Sequence, residues 1–146
     1  MGYQTWHNYG YGIRTDNIKT TADKMAELIK LAPKFAEEVR NNFIEDYETD
    51  NPTMDDYLDY DQDYMHGIGY FLREVIEEAE DVRLETVDNY DGNVFCILMP
   101  DYPWAKLTEA EKGLTEEKLD ELFNKYVKIL TDDVIKVEYQ EVENGG

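Results

Sequence analysis

Apolar and polar residues alternate near the start of the chain. From Tyr3 to Ile13, one set of alternate positions is mostly aromatic or branched, while the other set includes Gly10 and Gly12. A period of two predicts a β-strand. The two glycines leave part of one face without side chains, which indicates either a close approach by another backbone or a bulge.

The period then changes to that of a helix. A threonine at position 20 or 21 precedes apolar residues that recur at helical spacing as far as Ala32, which predicts a first capped helix. Proline is tolerated in a first helical turn but not inside a helix. Pro33 therefore marks either a kink or the start of a second helix that carries the apolar face on to Tyr47.

A break at Asn51 and Pro52 leads into a third helical pattern. Thr53 with an acid three residues later, Asp56, matches a capping box. The inward positions predicted from the spacing are Met54, Leu58, Met65, Ile68, Leu72 and Ile76. Because glycine costs about 1 kcal/mol against alanine inside a helix, we expect residues 67–69 to divide the pattern into a short helix rich in Tyr and Asp and a second helix from about Gly69 to Glu80.

The next segment has the pattern of a β-hairpin. Val82–Asp88 and Asn93–Met99 flank a turn that contains an Asp-Gly pair. The second of these strands is apolar almost throughout, so it should lie at the centre of the sheet, with Cys96 in the core.

The end of the chain predicts two helix starts and a last strand. Leu-Thr-Glu sequences begin at Leu107 and Leu114, and each places a threonine where a helix cap belongs and glutamates in the first turn. Residues 134–142 then predict a strand before a loose tail at 143–146.

Together these segments predict one α+β domain over residues 1–146. We expect a small antiparallel sheet of about four strands, formed by the first strand, the central hairpin and the C-terminal strand, with several helices packed mainly on one face. The 146 residues are 42% apolar and include 12 Tyr, 5 Phe and 2 Trp, which favours an ordered core over acidic disorder.

The distribution of charge bears on function more directly than the overall composition does. The formal net charge is −20, and residues 41–103 hold eighteen acids against two bases. Residues 41–72 hold nine acids and five tyrosines without a single Lys or Arg. Such a field repels nucleic acid and anionic membranes and attracts basic surfaces, in a way that salt screens. We therefore expect a basic protein partner, with neither direct nucleic-acid binding nor membrane binding.

The sequence lacks the motifs of most catalytic and metal sites. The chain has no serine and one cysteine, which removes the common nucleophilic triads and Cys-rich zinc sites. Asp59, Asp61 and Asp63 have the spacing of the first calcium ligands of an EF-hand, but Tyr64 and Tyr70 stand where that loop needs glycine and glutamate. The prediction is a protein that is not an enzyme and has no dedicated metal or cofactor.

The lone cysteine also bears on location. Cys96 has no partner for an intramolecular disulfide, and no signal peptide or run of eighteen apolar residues is present. These features predict a cytoplasmic protein.

The acidic segment itself is the candidate site. Carboxylates three or four residues apart on a helix lie about 5–6 Å apart at their Cβ atoms, close to the separation of successive phosphates along a nucleic-acid strand. The interleaved tyrosines either stack on arginines of a partner or cover the core. The predicted partner-binding residues are Glu45, Asp46, Glu48, Asp50, Asp55, Asp56, Asp59, Tyr60, Asp61, Asp63, Glu74, Glu77 and Glu78.

In its size, charge and clustering of acids, the chain resembles in kind, though not in motif, small acidic proteins that phages and mobile elements use to block nucleic-acid-handling proteins. Anti-CRISPR proteins and other DNA mimics belong to this group. The resemblance implies a non-enzymatic inhibitor of a nucleic-acid-binding enzyme, and it supplies no site residues. Two alternatives stay open: a small intracellular enzyme or divalent-metal protein that uses clustered carboxylates, and a regulatory module that homo-oligomerises through the first strand.

Overall fold

The structure, a computed structural model, describes residues 5–16, 18–62, 65–88, 95–100 and 109–145. Within these ranges the chain forms helices and strands in mixed order, so the predicted α+β class is confirmed. The strands are β1 (Thr5–Arg14), β2 (Asp61–Gln62), β3 (Met65–His66), β4 (Glu85–Asp88), β5 (Phe95–Pro100) and β6 (Glu138–Gly145). The helices are α1 (Ala22–Ile29), α2 (Pro33–Asp46), α3 (Met54–Asp59), α4 (Gly67–Glu80), α5 (Glu109–Lys112) and α6 (Glu116–Leu130).

The main sheet is antiparallel. Among the described strands its order is β4-β5-β1-β6. In β5, Ile97 lies opposite Thr86 on one side and Ile13 on the other, so the central position predicted for this strand is confirmed. The hairpin turn and the side chain of Cys96 lie outside what the structure describes.

The first and last strands pair along their length. β1 begins at Thr5 among the described residues, and the predicted start at Tyr3 falls outside them. The prediction of a loose tail at 143–146 is wrong for residues 143–145, because these residues pair with residues 5–7 of β1. Pairing satisfies backbone groups that would otherwise need water. The predicted strand start at Val134 is also wrong: this residue is 94% exposed, and β6 begins at Glu138.

Helices cover the face of β1 that carries Tyr11 and Ile13. Ile13 is fully buried in the core, and the Tyr11 hydroxyl donates to Oδ1 of Asp120 on α6 at 2.6 Å. That hydrogen bond, together with burial, raises the pKa of Tyr11 to about 12. The sheet and α6 are thus joined by both apolar and polar contacts.

The N-terminal helices begin where the sequence predicts. Thr21 caps α1 by accepting from the backbone N–H of Lys24, and Pro33 occupies the first turn of α2. Ala32, at the cap position of α2, has no side-chain acceptor. Glu78 of α4 replaces it: its Oε2 accepts from the N–H of Lys34 at 3.1 Å and its Oε1 from the N–H of Phe35 at 2.9 Å. A carboxylate from a distant helix therefore satisfies donors that the local sequence leaves open.

Replacing Glu78 with alanine should lower the free energy of unfolding by about 1–2 kcal/mol, because two helix N–H groups and the favourable charge at the helix end lose their partner. Urea unfolding followed by circular dichroism measures the change. Glu37, which is exposed on α2, gives the control: Glu37→Ala should have a much smaller effect. Equal losses in the two variants would contradict the capping role.

Candidate functional site

The acidic segment starts at the end of α2, where the chain makes a tight turn. The backbone N–H groups of Tyr47 and Thr49 both donate to the carbonyl of Phe43, each at 3.1 Å. Between them, Glu48 has a φ of 54°. This left-handed conformation costs a residue with a side chain about 1–2 kcal/mol, so the surrounding contacts must hold it.

α3 is fixed at both ends. At its start, Thr53 Oγ1 accepts from the N–H of Asp56 at 3.2 Å, and Asp56 Oδ2 accepts from the N–H of Thr53 at 2.8 Å, which confirms the predicted capping box. At its end, the Tyr47 hydroxyl donates to the carbonyl of Asp59 at 2.9 Å. The short helix is thereby tied to the turn that follows α2.

A group of rings lies under the acidic segment, and we call it the aromatic cluster. Its centre is Phe43, whose ring centroid lies 5.2 Å from Tyr47, 5.3 Å from Tyr57 and 5.0 Å from Tyr60. Tyr60 also stacks on Tyr70 of α4, with centroids 6.3 Å apart. The cluster consists of Phe35, Phe43, Tyr47, Tyr57, Tyr60, Tyr70 and Phe71.

The aromatic cluster decides what the tyrosines do. Tyr57 and Tyr70 are 6% exposed and Tyr60 is 0% exposed, so these three cover the core and do not stack on a partner. The prediction of Tyr60 as a partner contact is therefore wrong. So is the inward position predicted for Leu58, which is 49% exposed. α3 turns Tyr57 toward Phe43 instead, since a ring fills the space between α2 and α4 that an aliphatic side chain would leave open.

Burial keeps these hydroxyls protonated. It raises the pKa of Tyr57 and of Tyr70, and for Tyr70 the carboxylate of Glu74 adds to the effect. Burial also raises the pKa of Tyr60. There, a hydrogen bond from Asn42 at 2.8 Å opposes the shift and the charge of Glu38 supports it.

The short helix rich in Tyr and Asp, which the pattern predicts ahead of residues 67–69, ends at Asp59. Tyr60 leaves the helical conformation to enter the core, and Asp61–Gln62 then pairs with Met65–His66. Asp61 thus stands on a strand, and Asp63 and Tyr64 lie outside the described residues. α4 begins at Gly67, whose φ is +84°. A Cβ added at Gly69 would lie 2.8 Å from Thr15 Oγ1, so this glycine permits a close approach inside the helix.

Six of the predicted acids are alike in their exposure and in their lack of a bonded partner among the described residues. Their side chains are exposed, and their carboxylates make no hydrogen bond or ion pair with another described residue. We call them the carboxylate surface: Glu45, Asp46, Glu48, Asp50, Asp55 and Asp59. Asp56 is separate, since its carboxylate completes the capping box.

The predicted acids of α4 have different surroundings. Glu74 forms an ion pair with Arg73, Glu77 accepts from the N–H of Leu84 at 2.8 Å, and both oxygens of Glu78 are bonded to the start of α2. Burial raises the pKa of Glu77, although the hydrogen bond from the N–H of Leu84 acts to lower it. Glu77 and Glu78 thus accept from backbone groups beyond their own helix, and Glu74 pairs with its neighbour Arg73, so these three acids have internal partners that the carboxylate surface lacks among the described residues.

Glu80, which the sequence places beside these acids, joins α4 to α6. Burial acts to raise its pKa, but hydrogen bonds from the Tyr126 hydroxyl at 2.6 Å and from Lys125 Nζ at 3.1 Å outweigh burial, so the pKa is lowered. Nothing in the local sequence distinguishes Glu80 from the free acids, because its partners lie more than forty residues away.

In the described part of the chain, no three His, Cys, Asp or Glu side chains come together as ligands of a metal ion. None of the helices that the structure describes has both the length and the apolar character to cross a membrane.

No protein-family model matches the chain, and neither a curated protein nor a solved structure matches it.

The raised tyrosine pKa values predict unfolding at alkaline pH. Tyrosines of the unfolded chain ionise near pH 10, whereas Tyr57, Tyr60 and Tyr70 keep their protons to higher pH in the folded state. The folded state then binds more protons above about pH 10, so stability is unaffected below that pH and falls as the pH rises toward the folded pKa values. Urea unfolding between about pH 8 and pH 11.5 measures this.

Tyrosinate absorbance near 295 nm should rise together with the loss of structure, and Tyr60→Phe should reduce the slope of stability against pH by up to about one proton. A stability that stays constant to pH 11 would contradict the prediction.

The left-handed turn gives a separate test. Glu48→Gly should raise the free energy of unfolding by about 0.5–1 kcal/mol, since relief of the φ strain exceeds the added entropy of an unfolded glycine. Glu48→Gln removes the charge but keeps the strain, and Glu45→Gly, within the last turn of α2, should lower stability by about 1 kcal/mol. If glycine at 48 is as destabilising as glycine at 45, the turn is not strained.

Proposed function

We propose that this chain is a non-enzymatic acidic binding protein that presents the carboxylate surface to a basic partner. In this proposal the partner is a nucleic-acid-binding enzyme, and the protein inhibits it by occupying the face that binds phosphates. The observation that carries the proposal is the contrast between two sets of acids. Those of α4 have internal partners, whereas six on α2, α3 and the turn between them have none among the described residues.

Like charges held together destabilise a folded protein, and a cationic partner relieves that repulsion. Residues 45–59 hold seven acids and no base, so the local repulsion has no cation in its own segment to offset it. A basic surface supplies the missing charge. Binding is then coupled to relief of repulsion, and association is accelerated at low salt.

The frame beneath the carboxylates favours such binding because it is already ordered. The capping box fixes the start of α3, the Tyr47 hydroxyl fixes its end, and the aromatic cluster holds both to α2 and α4. Charges that are pre-organised lose little conformational entropy when they bind.

The spacing favours a partner that reads phosphates. Asp55 and Asp59 are four residues apart on α3, so their Cβ atoms lie about 5–6 Å apart. Proteins that bind duplexes place Lys and Arg to neutralise rows of phosphates, and a row of carboxylates fits the same array. A phage or mobile-element role against host defence, of the anti-CRISPR kind, is the biological setting that this mimicry suits.

The test compares two variants with the same net charge. The first carries Glu45→Gln, Asp50→Asn, Asp55→Asn and Asp59→Asn, and it leaves Asp56 in place to protect the capping box. The second neutralises four exposed acids elsewhere: Glu117→Gln, Glu121→Gln, Asp132→Asn and Asp133→Asn. Binding to a panel of purified nucleic-acid-binding enzymes is measured by biolayer interferometry at several salt concentrations.

For an enzyme that the native protein binds, the first variant should lose about tenfold or more in association rate, and the second should change it much less. The native association rate should also fall steeply with salt. Equal losses in both variants would assign the effect to total charge and overturn the proposed surface. Unchanged binding in both would overturn the electrostatic basis altogether.

A further inference from the structure

The last strand, β6, forms one edge of the main sheet among the strands that the structure describes. The order of that sheet is β4-β5-β1-β6, so β6 pairs with β1 on one side and with no described strand on the other. All eight residues of β6 lie opposite residues 5–12 of β1. The edge strand is therefore held in an extended conformation along its whole length.

An edge of this kind carries backbone groups that the sheet does not satisfy. In an antiparallel pair, every second residue directs its N–H and C=O to the partner strand, and the residues between them direct theirs away, so about half of the backbone groups of β6 point away from β1. Water or a further extended chain bonds such groups. The edge is thus a template for an added strand.

β6 offers a longer template than the other strands of this sheet. β1 has neighbours on both sides, since Gly12 lies opposite Leu98 of β5 and Glu138 of β6. The other edge strand, β4, has four residues, whereas β6 has eight. A chain that extends the sheet over several residues therefore adds to β6.

The charge of β6 favours a basic chain over a second copy of itself. Residues 138–145 hold three glutamates and no Lys or Arg, and residues 5–12 of β1, which lie opposite, hold no charged residue of either kind. Two copies of β6 side by side would bring three glutamates from each copy together, and like charges across strands destabilise pairing. A strand that carries Lys and Arg avoids that repulsion and offsets the charge of the glutamates.

One cation already lies close to this edge. Lys136 Nζ pairs with Glu138 Oε2 at 3.0 Å, and the two side chains are 78% and 46% exposed. An ion pair in contact with water contributes little to stability. Glu138 can therefore exchange Lys136 for a cation of an added strand.

Tyr139 adds an aromatic contact at the same edge. This residue is 68% exposed, and its ring packs edge-to-face on Tyr11, its partner in β1, with centroids 5.2 Å apart. Side chains of neighbouring strands meet across a sheet, so a Lys or Arg on an added strand comes within reach of the ring. The exposed ring and the glutamates thus favour the same kind of occupant.

We infer that the outer edge of β6 binds an extended basic segment of another protein, which joins the sheet as a further strand. Backbone hydrogen bonds to residues 138–145 hold the segment, and its Lys and Arg side chains supply the charge that this edge lacks. The edge is separate in sequence from the carboxylate surface. The inference therefore goes beyond the proposed function and holds whether or not the carboxylate surface binds an enzyme.

The probe is a synthetic peptide of about ten residues, the length of a long strand, in which Thr or Val alternates with Lys or Arg. Two methylated forms share its sequence, its charge and the number of N-methyl groups. In the first form the methyl groups are on alternate residues, so one edge of the peptide keeps all its N–H donors. In the second form they are on pairs of adjacent residues, so both edges lose donors.

The native protein should bind the alternately methylated peptide at least about tenfold more tightly than the peptide methylated at adjacent residues, because only the former keeps an edge that can pair. In the complex, alternate backbone amides of β6 should gain protection from hydrogen exchange, since their outward N–H groups acquire acceptors. Fluorescence anisotropy measures the binding, and hydrogen exchange followed by NMR locates it.

The charge of the edge is tested with two matched double variants. Glu141→Gln with Glu143→Gln should lower the association rate of the alternately methylated peptide about threefold or more at low salt. Glu117→Gln with Glu121→Gln, at exposed positions of α6, removes the same charge and should change the rate much less. Circular dichroism confirms that both variants are folded, and the two peptides still test the inference on the native protein if one variant is not.

Other results overturn the inference in distinguishable ways. Equal binding of the two methylated peptides, with unchanged exchange of the β6 amides, would assign binding to charge alone. If neither peptide binds, the edge is not a binding site, whereas the proposed function is still decided by the enzyme panel. Loss of peptide binding in the variant with four neutralised acids of the carboxylate surface would move the peptide to that surface. Protection of the β6 amides that rises with protein concentration, without peptide, would assign the edge to a second copy of the chain.

Discussion

The packing of aromatic rings around Phe43 is the interaction on which the structure of the acidic segment, residues 45–59, depends. Residues 45–59 carry seven acids and no base, so electrostatic repulsion opposes their compaction. The compensating contacts are apolar, since Tyr47, Tyr57 and Tyr60 all lie within 5.3 Å of Phe43 between ring centroids. Each such pair contributes about 0.5–1.5 kcal/mol beyond the burial of area. Aromatic burial, and not ion pairing, therefore places the carboxylate surface.

The molecule uses its carboxylates in two ways. Those near the C-terminal end of α4 replace missing local partners: Glu78 caps α2 and Glu77 bonds to Leu84 after the helix ends. Their hydrogen bonds offset the cost of burying them in part. The six acids of the carboxylate surface are exposed, and their carboxylates make no hydrogen bond or ion pair with another described residue. The carboxylate surface therefore combines exposed acids with an ordered frame beneath them.

The sequence by itself determined what depends on neighbours within a few residues. Thr21, the pair Thr53 and Asp56, and Pro33 mark helix starts through contacts no more than a turn away, and the net charge needs no structure at all. Tertiary structure decided which tyrosines are buried and which acids are free. α3 has only six residues, too few for apolar spacing to choose between Tyr57 and Leu58, and the bond from Phe35 to Glu78 spans 43 residues. Local patterns carry no information about such distant partners, and the folded core alone brings them together.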